Sequence, residues 1–256
     1  VDDDHPRWET HVSGTFSLGV HLGLALAPSV GGDAETNCDP DLCPAGSVAL
    51  GTVSGLRGSY LFPNHFAVTV EAGYFSLAQR LARARVLPFG DEPVTNTVRY
   101  DLKDDIRMAG PYAAAGFGYR LGLSDRIGLH GHLAAGALFA SSRDFVQGTA
   151  SGDGDVLPVG LFGADQSIDN VHPFVMPSLG ASVQFSPWTA GIELAAVYLP
   201  LRGPEFPTGE LTVLGGTCDS GSLNVACAPQ TDAFSKERSP GAFLVVAPRL
   251  HLAYGF

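Results

Sequence analysis

Charged residues make up only 16% of this 256-residue chain, and lysine occurs only at Lys103 and Lys236. The ionisable groups set inside apolar, alternating stretches are therefore the first candidates for chemistry. Five positions from the edge of an apolar segment, the same kind of residue recurs: Arg57 back from Phe62, Glu71 forward from Phe66, His132 forward from Ile127, Glu193 forward from Trp188 and His251 back from Phe256. Arg249 stands one same-face step beyond His251. Guanidinium, carboxylate and imidazole groups gathered at one level can neutralise one another, re-pair to open a water path, or pass protons. The network is the primary reading, because unpaired charge does not persist in so dry a place. A hairpin that pairs Phe62 with Phe66 sets Arg57 opposite Glu71, and the same arithmetic from Leu123 and Ile127 sets Arg120 opposite His130. Opposite charges at such facing positions stabilise a sheet.

Other clusters carry weaker chemistry. Ser141 or Ser142 with His172 offers the serine/histidine pairing of acyl-transfer enzymes, but His172 abuts Pro173 and no motif surrounds it, so no catalytic activity is expected. Asp33, Glu35, Asn37, Asp39 and Asp41 alternate as calcium ligands do, yet Cys38 replaces the turn glycine and Pro44 the closing glutamate; Asp153-Gly154-Asp155 is weaker still. Neither a resident metal nor a cofactor is expected. Arg80, Arg83 and Arg85, interleaved with Leu81, Val86 and Leu87, form a basic amphipathic stretch suited to lipid phosphates. Cys38/Cys43 and Cys218/Cys227 lie in polar, Gly/Pro/Asp-rich segments and are expected to form two local disulfides in an oxidising compartment, although other connectivities remain open. A net charge of −11 argues against nucleic acid as a partner.

The elements that must hold these residues are strands. From Trp8 to Leu26 the even positions are almost all apolar, while the odd positions are small or polar, a period no helix produces. Seven similar segments follow at about Val48–Phe62, Phe66–Leu77, Val98–Leu123, Ile127–Ala140, Val171–Phe185, Trp188–Leu199 and Ala242–Phe256. The fourth shifts phase near Tyr112–Phe117, which predicts a bulge. Tight turns at 63–65, 124–126 and 186–187 alternate with long connections at about 27–47, 78–97, 141–170 and 200–241.

Trp8, Tyr60, Phe62, Phe66, Tyr119, Phe185, Trp188, Tyr254 and Phe256 all sit beside the short turns or a terminus, as an interfacial girdle would. The ten steps from Trp188 to Tyr198 rise about 26 Å in a strand tilted near 40°, close to the apolar band of a transmembrane barrel. A soluble lipocalin-like barrel would instead place Lys, Glu and Asp on the face that here carries Gly, Ala, Ser and Thr.

The chain ends Leu250-His251-Leu252-Ala253-Tyr254-Gly255-Phe256, with Leu250, Leu252, Tyr254 and Phe256 on one face. This strand resembles the C-terminal signal strand of bacterial outer-membrane barrels. With the alternation and the loop asymmetry, the chain resembles the small barrels of the OmpA-transmembrane-domain, OmpX and OmpW kind. The resemblance implies one all-β domain over 1–256: an eight-stranded antiparallel up-and-down transmembrane β-barrel with periplasmic termini, reached after removal of a signal peptide. It implies contact with outer-membrane lipid and lipopolysaccharide. The functional expectation is a non-enzymatic anchor whose disulfide-bearing loops bind a surface component or an envelope-complex protein. The alternative is a narrow conduit for small ions or apolar solutes, gated by the internal ion cluster.

Overall fold

The computed structural model describes residues 14–28, 30, 48–89, 96–152, 155–162, 167–199, 210–213 and 243–256. They form antiparallel strands and no helix: β1 (Thr15–Ala27), β2 (Ala49–Leu61), β3 (Phe66–Phe89), β4 (Asn96–Gly122), β5 (Ile127–Gly152), β6 (Asp155–Phe162), β7 (Ile168–Phe185), β8 (Trp188–Leu199), β9 (Glu210–Val213) and β10 (Phe243–Gly255). Eight of them close a barrel in the order β1-β2-β3-β4-β5-β7-β8-β10, with β10 returning to β1. Following the pairing from Leu18 through Gly58, Val70, Ala115, Ala135, Val175, Tyr198 and Leu244 returns to β1 about ten residues further along. That stagger tilts the strands by roughly 40°, the geometry of a membrane barrel.

Alternation turns the apolar residues outward. Leu22, Leu24, Leu56, Val70, Leu179, Ile192 and Leu250 each expose more than half of their surface. In water such a continuous belt would drive aggregation; in a bilayer it is the solvent-facing surface. Rings at the tight-turn end touch one another: Trp188 against Tyr254 at 5.1 Å, Tyr254 against Phe256 at 5.0 Å, Phe66 stacked on Phe117 at 5.9 Å. The turn at 63–65 is closed by Asn64, whose Oδ1 accepts the Phe66 N–H at 3.2 Å, and by His65 in the left-handed region at φ 66°.

Two of the expected long connections are mostly strand. β3 and β4 pair without interruption from Phe66↔Tyr119 to Phe89↔Asn96, so most of 78–97 is a continued hairpin. β5 continues to Gly152, where its last six residues pair with β6, and β9 adds to β6. Most of 141–170 is therefore strand as well. The sheet β3-β4-β5-β6-β9 thus stands beyond the barrel rim.

The expected bulge near Tyr112–Phe117 is absent. β4 keeps one register with β3 and with β5 throughout. What changes is the surroundings. Along β4 the inward positions Val98, Tyr100, Leu102, Ile106 and Met108 are buried and apolar, and Arg99, Asp101, Lys103, Asp105 and Arg107 point out. Below Pro111 the outward positions are Ala113, Ala115, Phe117, Tyr119 and Leu121. The apolar phase inverts where the outer surface passes from water to lipid, at the row of Tyr74, Pro111 and Phe139 on neighbouring strands. The same inversion makes the upper parts of β3 and β5 read as loop.

Residues 1–13, 31–47 and 214–242 lie outside the described residues, and with them the first part of the Trp8–Leu26 segment, the acidic stretch Asp33–Asp41 and all four cysteines.

Candidate functional site in the lumen

Two facing pairs begin the site. Arg57 and Glu71 are register partners on β2 and β3, and Arg249 and Glu193 are register partners on β10 and β8. β3 and β8 stand opposite each other in the ring of eight. The four side chains meet across the lumen. Arg57 gives Nε and Nη2 to Glu71 Oε2 at 2.9 and 2.8 Å, and Nη1 and Nη2 to Glu193 Oε2 and Oε1 at 2.6 and 3.0 Å. Arg249 donates Nη1 to Glu71 Oε1 at 2.8 Å, and Nη2 to Glu193 Oε1. Each carboxylate is held by both guanidinium groups, and each guanidinium by both carboxylates. The formal charges cancel. Side-chain exposure is 14% for Arg57 and 1–4% for the other three.

Two residues absent from the sequence-level cluster complete it. Tyr112 donates its hydroxyl proton to Glu71 Oε1 at 2.7 Å, and His21 Nε2 lies 2.8 Å from that hydroxyl and 3.3 Å from Glu71 Oε1. Tyr112 is a large residue on the inward face, which is also why it disturbs the apparent phase of β4. Arg120 faces His130 in register, as expected, but its Nη2 bonds Gln184 Oε1 at 3.2 Å. His130 turns to Glu193 instead, with Nε2 at 3.5 Å from Oε2. The rings of His132 and His251 each lie 5.2 Å from that of His130.

The imidazoles are seated by glycine. His21, His130, His132 and His251 are register partners of Gly55, Gly180, Gly118 and Gly191. A Cβ built on Gly180 would meet His130 Nε2 at 2.4 Å, and one on Gly191 would meet His251 Cε1 at 2.4 Å. Each ring occupies space over its neighbouring strand that a side chain at the glycine would fill.

The network divides the lumen. On the long-connection side it is backed by a packed apolar core that includes Phe75, Leu77, Ile106, Met108, Leu138, Phe174 and Met176. On the tight-turn side lies a cavity of about 160 Å³ whose lining runs from Arg57, His130, His132 and His251 to Thr15, Pro187 and Gly255 at the rim.

This is a membrane-spanning barrel with an ion network across its lumen. No family model and no curated protein matches the chain. Two solved structures of Ail, the attachment invasion locus protein of Yersinia pestis, align with 95% of this chain and 99% of theirs. The one in complex with the heparin analogue sucrose octasulfate is 11% identical with a TM-score of 0.38, and the other is 12% identical with a TM-score of 0.34. Similarity at that level carries no argument, and the fold rests on the strand pairing itself.

The remaining candidates fall elsewhere. Ser142 and His172 are both buried and on the inward face, but His172 pairs with Leu138, four residues from Ser142 along β5. That separates them by about 13 Å along the strand, too far for a nucleophile and its base. Arg80, Arg83 and Arg85 belong to β3 rather than to a loop. Arg80 is exposed, 3.9 Å from Asp105, and the side chains of Arg83 and Arg85 lie outside the described residues.

Proposed function

We propose that this protein is a non-enzymatic outer-membrane anchor that raises a binding sheet above the bilayer. The observation that carries this reading is the contrast between the two ends. An ion network and an apolar core cross the lumen, while β3, β4 and β5 run on past the lipid belt and recruit β6 and β9. Tight turns face the periplasm and long connections the exterior, as in barrels of this kind. Local Cys38–Cys43 and Cys218–Cys227 disulfides would brace the outer connections, and a surface component or envelope protein would dock there.

Refolded protein in a planar bilayer tests the seal. The expected record is silent, for wild type and for Glu71→Gln alike. Steady openings that shift with Glu71→Gln would overturn the anchor and install the narrow conduit, because the cluster would then line a path.

The rim also fits lipid phosphate. Arg107 and Arg143 are register partners on the outward face, above the row of Tyr74, Pro111 and Phe139. Arg107 holds Asp105 at 3.1 Å, and its exposed guanidinium and that of Arg143 are of the kind that also takes phosphate oxygens; the phosphates of lipopolysaccharide lie at that depth. Arg80 extends the patch on β3, one strand over. Changing Arg107 and Arg143 together to Glu is expected to lower the lipopolysaccharide retained through detergent purification several-fold while heat-modifiable gel migration stays normal. Unchanged retention would remove the contact from the proposal.

A further inference from the structure

We infer that the periplasm-facing cavity of the barrel holds a binding site for a late first-row divalent cation, built from His130, Glu193 and His251. The three residues come from β5, β8 and β10, and their donor atoms lie within 4.8 Å of one another. A tetrahedral zinc ion with bonds near 2.1 Å sets its ligands roughly 3.4 Å apart, so the cluster closes on the ion by imidazole rotation of about an ångström. His130 Nε2 is already 3.5 Å from Glu193 Oε2.

The placement follows from the sheet. His130 lies over Gly180, which is the register partner of Glu193, and His251 lies over Gly191, the preceding inward position on the strand of Glu193. The two rings are therefore brought together beside one carboxylate, 5.2 Å apart edge to face. The His130 side chain retains 8% of its surface, and its Nε2 already faces the Glu193 carboxylate, as a ligand of the same ion would. His251 Nδ1 is buried with no hydrogen-bond partner, a cost that a bound metal ion relieves.

Charge and access are compatible with a cation. Arg57 and Arg249 are cancelled by Glu71 and Glu193, so the ion enters a neutral cluster. The same guanidinium groups orient Glu193, in the way outer hydrogen bonds fix a metal-bound carboxylate. The cavity of about 160 Å³ touches His130 and His251 and reaches the rim at Thr15 and Gly255, leaving room for water as a further ligand. Two imidazoles and one carboxylate select zinc, copper, nickel or cobalt over calcium and magnesium, which prefer all-oxygen sets.

The test uses full-length, untagged protein refolded in detergent and stripped with a chelator. Zinc titration by calorimetry is expected to show about one ion per chain, and Co2+ to give the visible bands of a four- or five-coordinate histidine site. His130→Ala and His251→Ala should each weaken binding by about tenfold or more, while His65→Ala, in a distant turn, leaves it unchanged. Heat-modifiable migration confirms that each variant is folded, and His251→Gln replaces His251→Ala if that variant is not. The wild type alone can overturn the proposal, by taking up no Zn2+ or by giving only the pale spectrum of hydrated cobalt. Undiminished uptake by the folded histidine variants would overturn it equally, because the ion would then sit elsewhere.

Discussion

Glu193→Gln is expected to destabilise the barrel by about 3–5 kcal/mol, the cost of leaving buried charge uncompensated. Glu193 accepts from both Arg57 and Arg249, and its side chain keeps 1% of its surface. The amide has nearly the same shape, so packing survives. It returns no negative charge, and one of its two oxygens becomes a donor facing guanidinium donors. Two cations then share Glu71 alone. Urea unfolding in lipid vesicles measures the loss, and the double change Glu71→Gln/Glu193→Gln should depart from the sum of its parts by more than about 0.5 kcal/mol, since both carboxylates belong to one network. A loss below about 1 kcal/mol for Glu193→Gln would mean that water reaches the cluster and solvates the arginines.

Leu179→Arg should cost about 2–4 kcal/mol in the same assay, whereas Gln147→Arg, outward on β5 beyond the lipid belt, should be close to neutral. Leu179 lies on the outer face of β7, six residues from Phe185 at the tight-turn girdle, and exposes 73% of its surface. Six residues of tilted strand place it roughly 15 Å into the bilayer, near the midplane. The contrast decides what the belt faces. On a water-soluble barrel an arginine at so exposed a leucine would be harmless or would improve solubility. Equal and small effects at both positions would remove the membrane from the argument.

Much of the barrel is legible in the sequence because lipid enforces a strict period of two. Leu18, Val20, Leu22 and Leu24 have no alternative orientation once the lumen is narrow, and from that follow the tight turns, the Arg57/Glu71 pairing and the Arg120/His130 register. The outer sheet is hidden for the complementary reason. Above Tyr74 and Phe139 the outward face meets water, so 78–89 of β3 and 141–152 of β5 read as loop, whereas the facing part of β4 already lies within the expected Val98–Leu123 strand. A search for inverted alternation would have found it. Distances counted from aromatic edges recovered Arg57, Glu71, Glu193 and Arg249, whose contacts are now explicit. They missed His21 and Tyr112, which reach Glu71 from β1 and β4, because strand stagger sets those residues at other offsets.

The ion network has a consequence for how the molecule is made. Its members come from β2, β3, β8 and β10, and the seam that joins the ends of the barrel runs between β1 and β10. Arg57 and Glu71 meet as soon as one hairpin forms, but Arg249 and Glu193 reach them only when that seam is zipped. An open, half-inserted sheet would therefore present two charged pairs to lipid or to a trapped file of water, and each would be relieved only by the other. Completion of the wall and completion of the network are thereby coupled, and both require joining strands more than two hundred residues apart in sequence.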